Sequence, residues 1–360
     1  MKLLFLAIVS TVFLNGCLSE DRIKLPNTSY TPQLMNDDWV ISTPFAERID
    51  SAKLSEAYKL FYSENDFLQV LSLTVIRNGK LISEGYCRSE SDRTRPNAIW
   101  SCTKSFTSMV TGLAFAEGKL GSVNDSIGIY LPTYTAKYPD KGSITIHDLL
   151  TMQGGIDYNN DGISGQTDKL SRQLPDDCID FILGRPLKDP PGTSYWYNDG
   201  LPTVMSAILQ KQLGKTMADY ADEKIFAPLN IKNYRWDKYK DGVTFGAYGL
   251  WMTPRDLAKI GWMVCDSGRW NGKVIIPFDW LQTSTSVQVL SNWNPYGYYW
   301  WINKNFDCFY MSGHGGQEVF IVPSKKLVVV ITSEPFTQDQ FQLDIEKADQ
   351  LLILIEESCK

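Results

Sequence analysis

The chain has 360 residues, 43% of them hydrophobic and 21% charged, with a formal net charge of −6. That balance excludes a disordered chain and is enough for one large core or two fused lobes. The charge is spread without a basic stripe, so no nucleic-acid partner is expected.

In chain order, MKLLFLAIVSTVFLNGC carries one lysine, an apolar run of signal length and then small residues. It reads as an export signal, not a membrane span. Its end, Leu14-Asn15-Gly16-Cys17, resembles the lipobox of bacterial lipoproteins. The resemblance implies a leader over residues 1–17 and lipidation at Cys17, an ordinary cleaved signal peptide being the alternative. Residues 18–45 are polar and dotted with proline, as in a tether. Beyond the leader nothing is long and apolar enough to span a bilayer, so any membrane contact is by lipid anchor only.

AKLSEAYKLFYSEN has helical spacing, and LQVLSLTVIRNGKLISEGYC predicts two strands turning at Asn78-Gly79. From Ser101 to about Arg255 helical patterns dominate: SFTSMVTGLAFAEGKL, ITIHDLLTM, TVMSAILQKQLG and MADYADEKIFAPL. Strands return in YGYYWWINK, FDCFYMSG, EVFIVPS and KLVVVITS, and QFQLDIEKADQLLILIEES predicts a closing helix. The pattern predicts an α+β fold: an antiparallel sheet flanked by N- and C-terminal helices, with an inserted all-helical lobe. The folded domain is then 46–357, its sheet lobe 46–100 and 256–357, its helical lobe 101–255. A cleft between lobes is the expected place for chemistry.

Three segments carry reactive groups. Ser101-Cys102-Thr103-Lys104 is the only Ser/Thr-x-x-Lys in the chain. At helical spacing it puts a nucleophile and an amine on one face. The helix start favours developing negative charge, and a desolvated lysine can lose its proton and act as base. The bland alternative makes Ser101 an N-cap and Lys104 a solvated side chain. Tyr197-Asn198-Asp199 lies in PPGTSYWYNDG, where a tyrosine alone is more often packing than chemistry. Ser312-Gly313-His314-Gly315-Gly316-Gln317 runs into a strand, and its glycines allow close approach of backbone or ligand. His147 reads as structural.

In this order and context the three segments resemble the class C β-lactamase-like serine hydrolases of the serine β-lactamase and penicillin-binding-protein superfamily. IWSCTKSFTSMVTGLAFAEGKL, ITIHDLLTMQGGIDY, YGLWMTPRDLAKIGWMV and GHGGQEVFIVPSKKLVVVITS are similar to family segments, over roughly residues 50 to 357. The resemblance implies Ser101 as the acylated serine, Lys104 as its partner and Tyr197 as a proton relay. It also implies an oxyanion hole from the backbone N–H groups of Ser101 and Gln317, with His314, Gly316 and Asp199 at the substrate. Two departures stand out. Asp199 replaces the asparagine that contacts substrate amides in many class C enzymes, and His314-Gly315-Gly316 replaces the Lys-Thr-Gly triplet. A mostly neutral histidine holds a β-lactam carboxylate less strongly than lysine would.

These expectations converge on an exported serine hydrolase cleaving an ester or amide through a Ser101 acyl-enzyme, without a cofactor. The alternatives are a β-lactamase or DD-peptidase acting on cell-wall peptides, and a catalytically silent ligand-binding homologue. Tyr195, Trp196, Tyr298, Tyr299, Trp300 and Trp301 either form an apolar acyl pocket or fill the lobe interface. Asp157 to Gly162, with Asp168, partly fits a calcium loop, but an Asx-rich turn explains it as well, and no metal is expected. Cys87, Cys102, Cys178, Cys265, Cys308 and Cys359 permit disulfides in an exported protein without requiring any.

Overall fold

The computed structural model describes residues 29–63, 70–160, 176–303, 305–334 and 341–360. Cys17 and Asp168 lie outside them.

Helix α1 (Ser51–Phe61) starts on Asp50, whose carboxylate accepts the N–H groups of Ala52 and Lys53, and it buries Leu54, Ala57, Tyr58 and Phe61. Strands β1 (Val70–Arg77) and β2 (Lys80–Tyr86) are joined at Asn78 and Gly79, both left-handed at φ 52° and 77°. That is the pair of positive φ values a two-residue hairpin turn needs, so the expectation from Asn-Gly holds. The remaining strands of the main sheet are β8 (Trp301–Asn303), β9 (Cys308–Gly313), β10 (Gln317–Val322) and β11 (Leu327–Ser333), in the order β2-β1-β11-β10-β9-β8. The pairings are antiparallel.

Strands β1, β10 and β11 are buried along their whole length, which requires cover on both faces. On one face α1 packs with the C-terminal helix α11 (Phe341–Glu357). On the other lies α9 (Pro254–Cys265), where a Cβ at Gly261 would stand 2.7 Å from Val328 and 3.0 Å from Val319. Glycine there lets the helix settle onto β10 and β11.

The middle of the chain forms the second lobe around α2 (Thr103–Ala116) and α7 (Gly200–Leu213). Shorter helices surround them: α3 (Ile127–Tyr130), α4 (Pro132–Lys137), α5 (Ile146–Leu150), α6 (Cys178–Leu183), α8 (Met217–Ala221) and α10 (Phe278–Ser284). The lobe is not all-helical. A small antiparallel sheet is built from β3 (Asn97–Ala98), β5 (Leu250–Met252) and β4 (Arg235–Trp236), and a hairpin from β6 (Arg269–Trp270) and β7 (Lys273–Val274) follows α9. Elements of two or three residues are too short to display a period-two pattern. The strand expected over YGYYWWINK is likewise cut back to β8, because Tyr299 takes φ 64° and breaks the extended run.

From residue 29 the segment expected as a tether lies against the body. Ile41 bridges Leu81 in parallel, with Ser42 N donating to Leu81 O at 3.1 Å and Leu81 N to Val40 O at 3.0 Å. Tyr30 stacks on Tyr58, and buried Trp39 donates its indole N–H to Arg255 O. The segment covers the β2 edge, which would otherwise present unpaired backbone groups. Buried Glu84 gathers Arg93 and Arg255 at 3.1 and 3.0 Å, and Arg255 reaches on to Asp37.

Glu47 ties this segment to the β1–β2 turn. It accepts from Lys80 at 2.7 Å, Asn78 at 3.0 Å and Ser42 at 2.8 Å, and the Lys80 bond foremost brings its carboxyl down to about 2. A lowered carboxylate stabilises fully above its unfolded pKa and loses that contribution as pH falls towards its folded one. Thermal melts from pH 5 to pH 2 are therefore expected to fall more steeply for the wild type than for Glu47→Gln. Parallel declines would contradict this assignment.

Candidate active site

Ser101 sits in a 3₁₀ turn, Trp100–Cys102, that runs directly into α2. It is not a cap: the turn's backbone is already helical at Cys102 and no side chain caps α2. Instead Ser101 Oγ accepts a hydrogen bond from Lys104 Nζ at 2.9 Å. Trp100, just before Ser101, is left-handed at φ 48°, a strained conformation of the kind found where a side chain must be re-aimed.

Lys104 is 1% exposed, and its ammonium also donates to Asp199 Oδ1 at 2.7 Å and to the Ala247 carbonyl at 3.1 Å. Burial pushes its pKa down, but Asp199 and Tyr197 more than reverse this, leaving it above the ordinary lysine value. Its three acceptors, one of them the Asp199 carboxylate, favour the charged form of Lys104 over the neutral base.

Tyr197 lies in the loop before α7. Its ring lies against the lysine, with Lys104 Nζ 4.7 Å from the ring centroid. Burial raises the phenol's pKa; Lys104 pulls it back without reversing the rise. At neutral pH the group is a protonated phenol.

Asp199, expected beside the substrate, pairs with Lys104 in this structure. Its own N–H donates to Asn160 Oδ1 at 3.0 Å, and Thr203 Oγ1 donates to its carbonyl at 2.9 Å. Asn160 belongs to the stretch that resembles the start of a calcium loop, and the part described serves as backing for the Tyr197 loop. Trp196 Nε1 donates to Tyr158 O in the same contact. Among the described residues no group of three His, Cys, Asp or Glu side chains is arranged to hold a metal.

The turn between β9 and β10 approaches Ser101 from the sheet side. A Cβ at Gly313 would stand 2.3 Å from Ile99 O and 3.3 Å from Cys102 Sγ, so only glycine allows β9 this close to the Ser101 turn. Cys102 Sγ donates to Gln317 O at 3.3 Å. The Gln317 side chain is clamped to β11, its Oε1 accepting from Ser333 N at 3.1 Å, while Ser333 Oγ donates to Gly316 O at 3.0 Å. Gly315 and Gly316 are left-handed at φ 79° and 86°. His314 meets Trp100 edge-on at 5.3 Å between centroids. Ser101, Lys104 and Asp199 thus form one bonded cluster with the Tyr197 ring against it, and Gln317, Gly316 and His314 lie on the facing turn. Cys102, Gly313 and the Ala247 carbonyl escape sequence reading, since each contributes a close approach or a backbone atom without a side-chain signature.

Gly313→Ala tests how this turn is set. The added methyl would press on the Ile99 carbonyl and push Gln317 away from Ser101. A loss of about a hundredfold in kcat, the scale of removing one oxyanion donor, is expected from steady-state kinetics with an ester substrate. Unchanged kinetics would show that the approach is not needed.

Tyr298, Tyr299 and Trp300 are buried in the core. His147 meets Tyr298 edge-on. Trp196 is partly exposed, and Trp301 stacks on Tyr197 with centroids 5.8 Å apart.

An α+β fold with a serine, a lysine and a tyrosine converging between sheet and helical lobe defines a serine-hydrolase class of protein. The chain belongs to the Beta-lactamase family, whose model matches residues 68–352. It is similar in structure to a protein assigned as a 6-aminohexanoate-dimer hydrolase from Bacillus anthracis. There the TM-score is 0.70 and the identity 20%, over 93% of this chain and 91% of that one. It is also similar to a family VIII carboxylesterase, at TM-score 0.66 and 16% identity over 87% of this chain and 99% of that one. The teichoic acid D-alanine hydrolase of Staphylococcus aureus is 24% identical over 253 residues, 59% of this chain and 61% of that protein. The chain therefore spans about three-fifths of that curated relative's length. Among the described residues no helix is long and apolar enough to cross a membrane.

Proposed function

We propose that this protein is an exported hydrolase that cleaves an ester or amide through an acyl-enzyme on Ser101. The observation that carries the reading is the contact between Ser101 Oγ and a buried Lys104 paired with Asp199, with the Tyr197 ring lying against the same ammonium. Ser101 Oγ attacks the carbonyl carbon while Tyr197 Oη passes its own proton to the departing oxygen or nitrogen. The phenolate oxygen that this leaves takes up the Ser101 proton, so the phenol is neutral before and after. Lys104 stabilises the phenolate character that develops in between. The backbone N–H groups of Ser101 and Gln317 would hold the oxyanion. Water then enters where the leaving group stood and repeats the relay in reverse, releasing the acid and restoring Ser101.

The charge pattern favours esters and simple amides over substrates that carry a carboxylate. Lys104 is committed to Asp199, and His314-Gly315-Gly316 stands where the resembling β-lactamases carry a Lys-Thr-Gly triplet, so the lysine that helps bind a β-lactam carboxylate there has no counterpart here. The curated relative is named for removing D-alanine from teichoic acid, which makes a D-alanyl ester of a cell-envelope polymer the natural biological substrate to try.

The test is a hydrolysis panel on wild type and Ser101→Ala: p-nitrophenyl acetate, a D-alanyl ester and a penicillin. Ester turnover lost at least a thousandfold in Ser101→Ala, with slow or no penicillin hydrolysis, is the expected result. Penicillin as the preferred substrate would move the protein to the cell-wall branch, and no turnover of any of the three would overturn the hydrolase reading.

A further inference from the structure

Trp293 is 70% exposed, an unusual place for the largest apolar side chain, and it lies beside the site. It sits at the tip of a loop closed by Val289 and Tyr296, whose backbones exchange hydrogen bonds of 3.0 and 2.9 Å. Within the tip, Trp293 N donates to Ser291 Oγ at 3.1 Å and Ser291 Oγ donates to Asn294 O at 2.7 Å. Asn294 Nδ2 pins the tip to the Tyr310 hydroxyl on β9 at 2.8 Å. The indole is therefore presented from a braced loop.

Its ring leads inward to the chemistry. Trp293 lies 6.0 Å from Trp301, and Trp301 stacks at 25° on Tyr197, 5.8 Å away. Tyr296 closes against both Trp301 and Tyr197. In the proton path above, Tyr197 Oη delivers to the departing atom. A group attached to that atom and extending past the Tyr197 ring would meet the rim of Trp301, itself only 7% exposed, and then the open face of Trp293.

We propose that Trp293 is a specificity-determining residue that, with Trp301, forms a subsite for a flat apolar leaving group, favouring aryl and similarly planar alcohols over small alkyl ones. This rests on the Ser101 acyl-enzyme reading and adds the substrate class on its leaving-group side. Aromatic pairs of this geometry select by a few-fold to about tenfold in binding.

The experiment compares ethyl, phenyl and 2-naphthyl acetate on wild type, Trp293→Ala and Trp293→Phe. All three esters give the same acetyl-enzyme, so hydrolysis of that intermediate is common to them and the subsite acts on kcat/KM alone. Taking the variant-to-wild-type ratio for each ester cancels its intrinsic reactivity. Trp293→Ala is expected to lose about fivefold in kcat/KM on 2-naphthyl acetate and less than twofold on ethyl acetate, with Trp293→Phe keeping most of the preference. A ratio that is the same for all three esters would overturn the assignment while leaving the acyl-enzyme intact. No turnover of any acetate by the wild type would remove both.

Discussion

Tyr197→Phe lowers kcat/KM by about a thousandfold and leaves the fold in place, on the scale of removing a positioned general acid and base. The substitution deletes one oxygen and keeps the ring that stacks on Trp301 and meets Tyr296. Lys104 retains Asp199, Ala247 O and Ser101 as acceptors, so no buried charge is stranded. Melting temperature should move by only a few degrees while turnover collapses. The pH profile follows from the same group: burial keeps the phenol protonated, so wild-type activity is lost only as pH rises through Tyr197's raised pKa, on the strongly alkaline side. If Tyr197→Phe kept within tenfold of wild-type activity, the relay would have to run elsewhere.

Asp199→Asn has the opposite character, a large effect on stability and a displaced pH profile. It removes one partner of a buried ion pair and leaves Lys104 among neutral groups, which typically costs about 3–5 kcal/mol. Burial, the largest influence on Lys104, then acts without its counterweight and drives the lysine pKa below its ordinary value. In the wild type the raised lysine stabilises the fold below its unfolded pKa and loses that contribution only as pH climbs through the folded one. In the variant the sign reverses: the unfolded chain binds the extra proton, so the stability deficit shrinks as pH rises. Activity moves the other way, since a neutral lysine cannot support phenolate character on Tyr197. Denaturation and kcat/KM measured from pH 6 to 10 should show an alkaline limb shifted to lower pH by more than a unit. A profile that overlays the wild type's would contradict the pairing as the source of Lys104's charge.

The parts of this arrangement that were legible in the sequence are the local ones. Ser101 and Lys104 meet because three residues along a helical path share a face, and Asn78-Gly79 turns a hairpin because both residues accept positive φ. The α+β order could be read from periodicity alone, and the family segments around Ser101, Tyr197 and His314 indicated the superfamily that the Beta-lactamase match shows. What could not be read depends on contacts across long separations. The Lys104–Asp199 pair spans 95 residues, and nothing local distinguishes a carboxylate that contacts substrate from one that neutralises a lysine. Of the two readings of Lys104, base or charged partner, the contact with Asp199 favours the charged one. Edge cover by residues 29–50, the two-residue strands of the small sheet and Trp293's place beside Trp301 are tertiary in the same sense.

The central claim is a covalent bond to Ser101, and intact-mass analysis after exposure to a fluorophosphonate reads it directly. The phosphonyl adduct is stable, so it reports nucleophile activation without depending on the right ester. One adduct on the wild type, mapped to the peptide containing Ser101 and absent from Ser101→Ala, is the predicted result. An unmodified wild type, or equal modification of Ser101→Ala, would contradict the account.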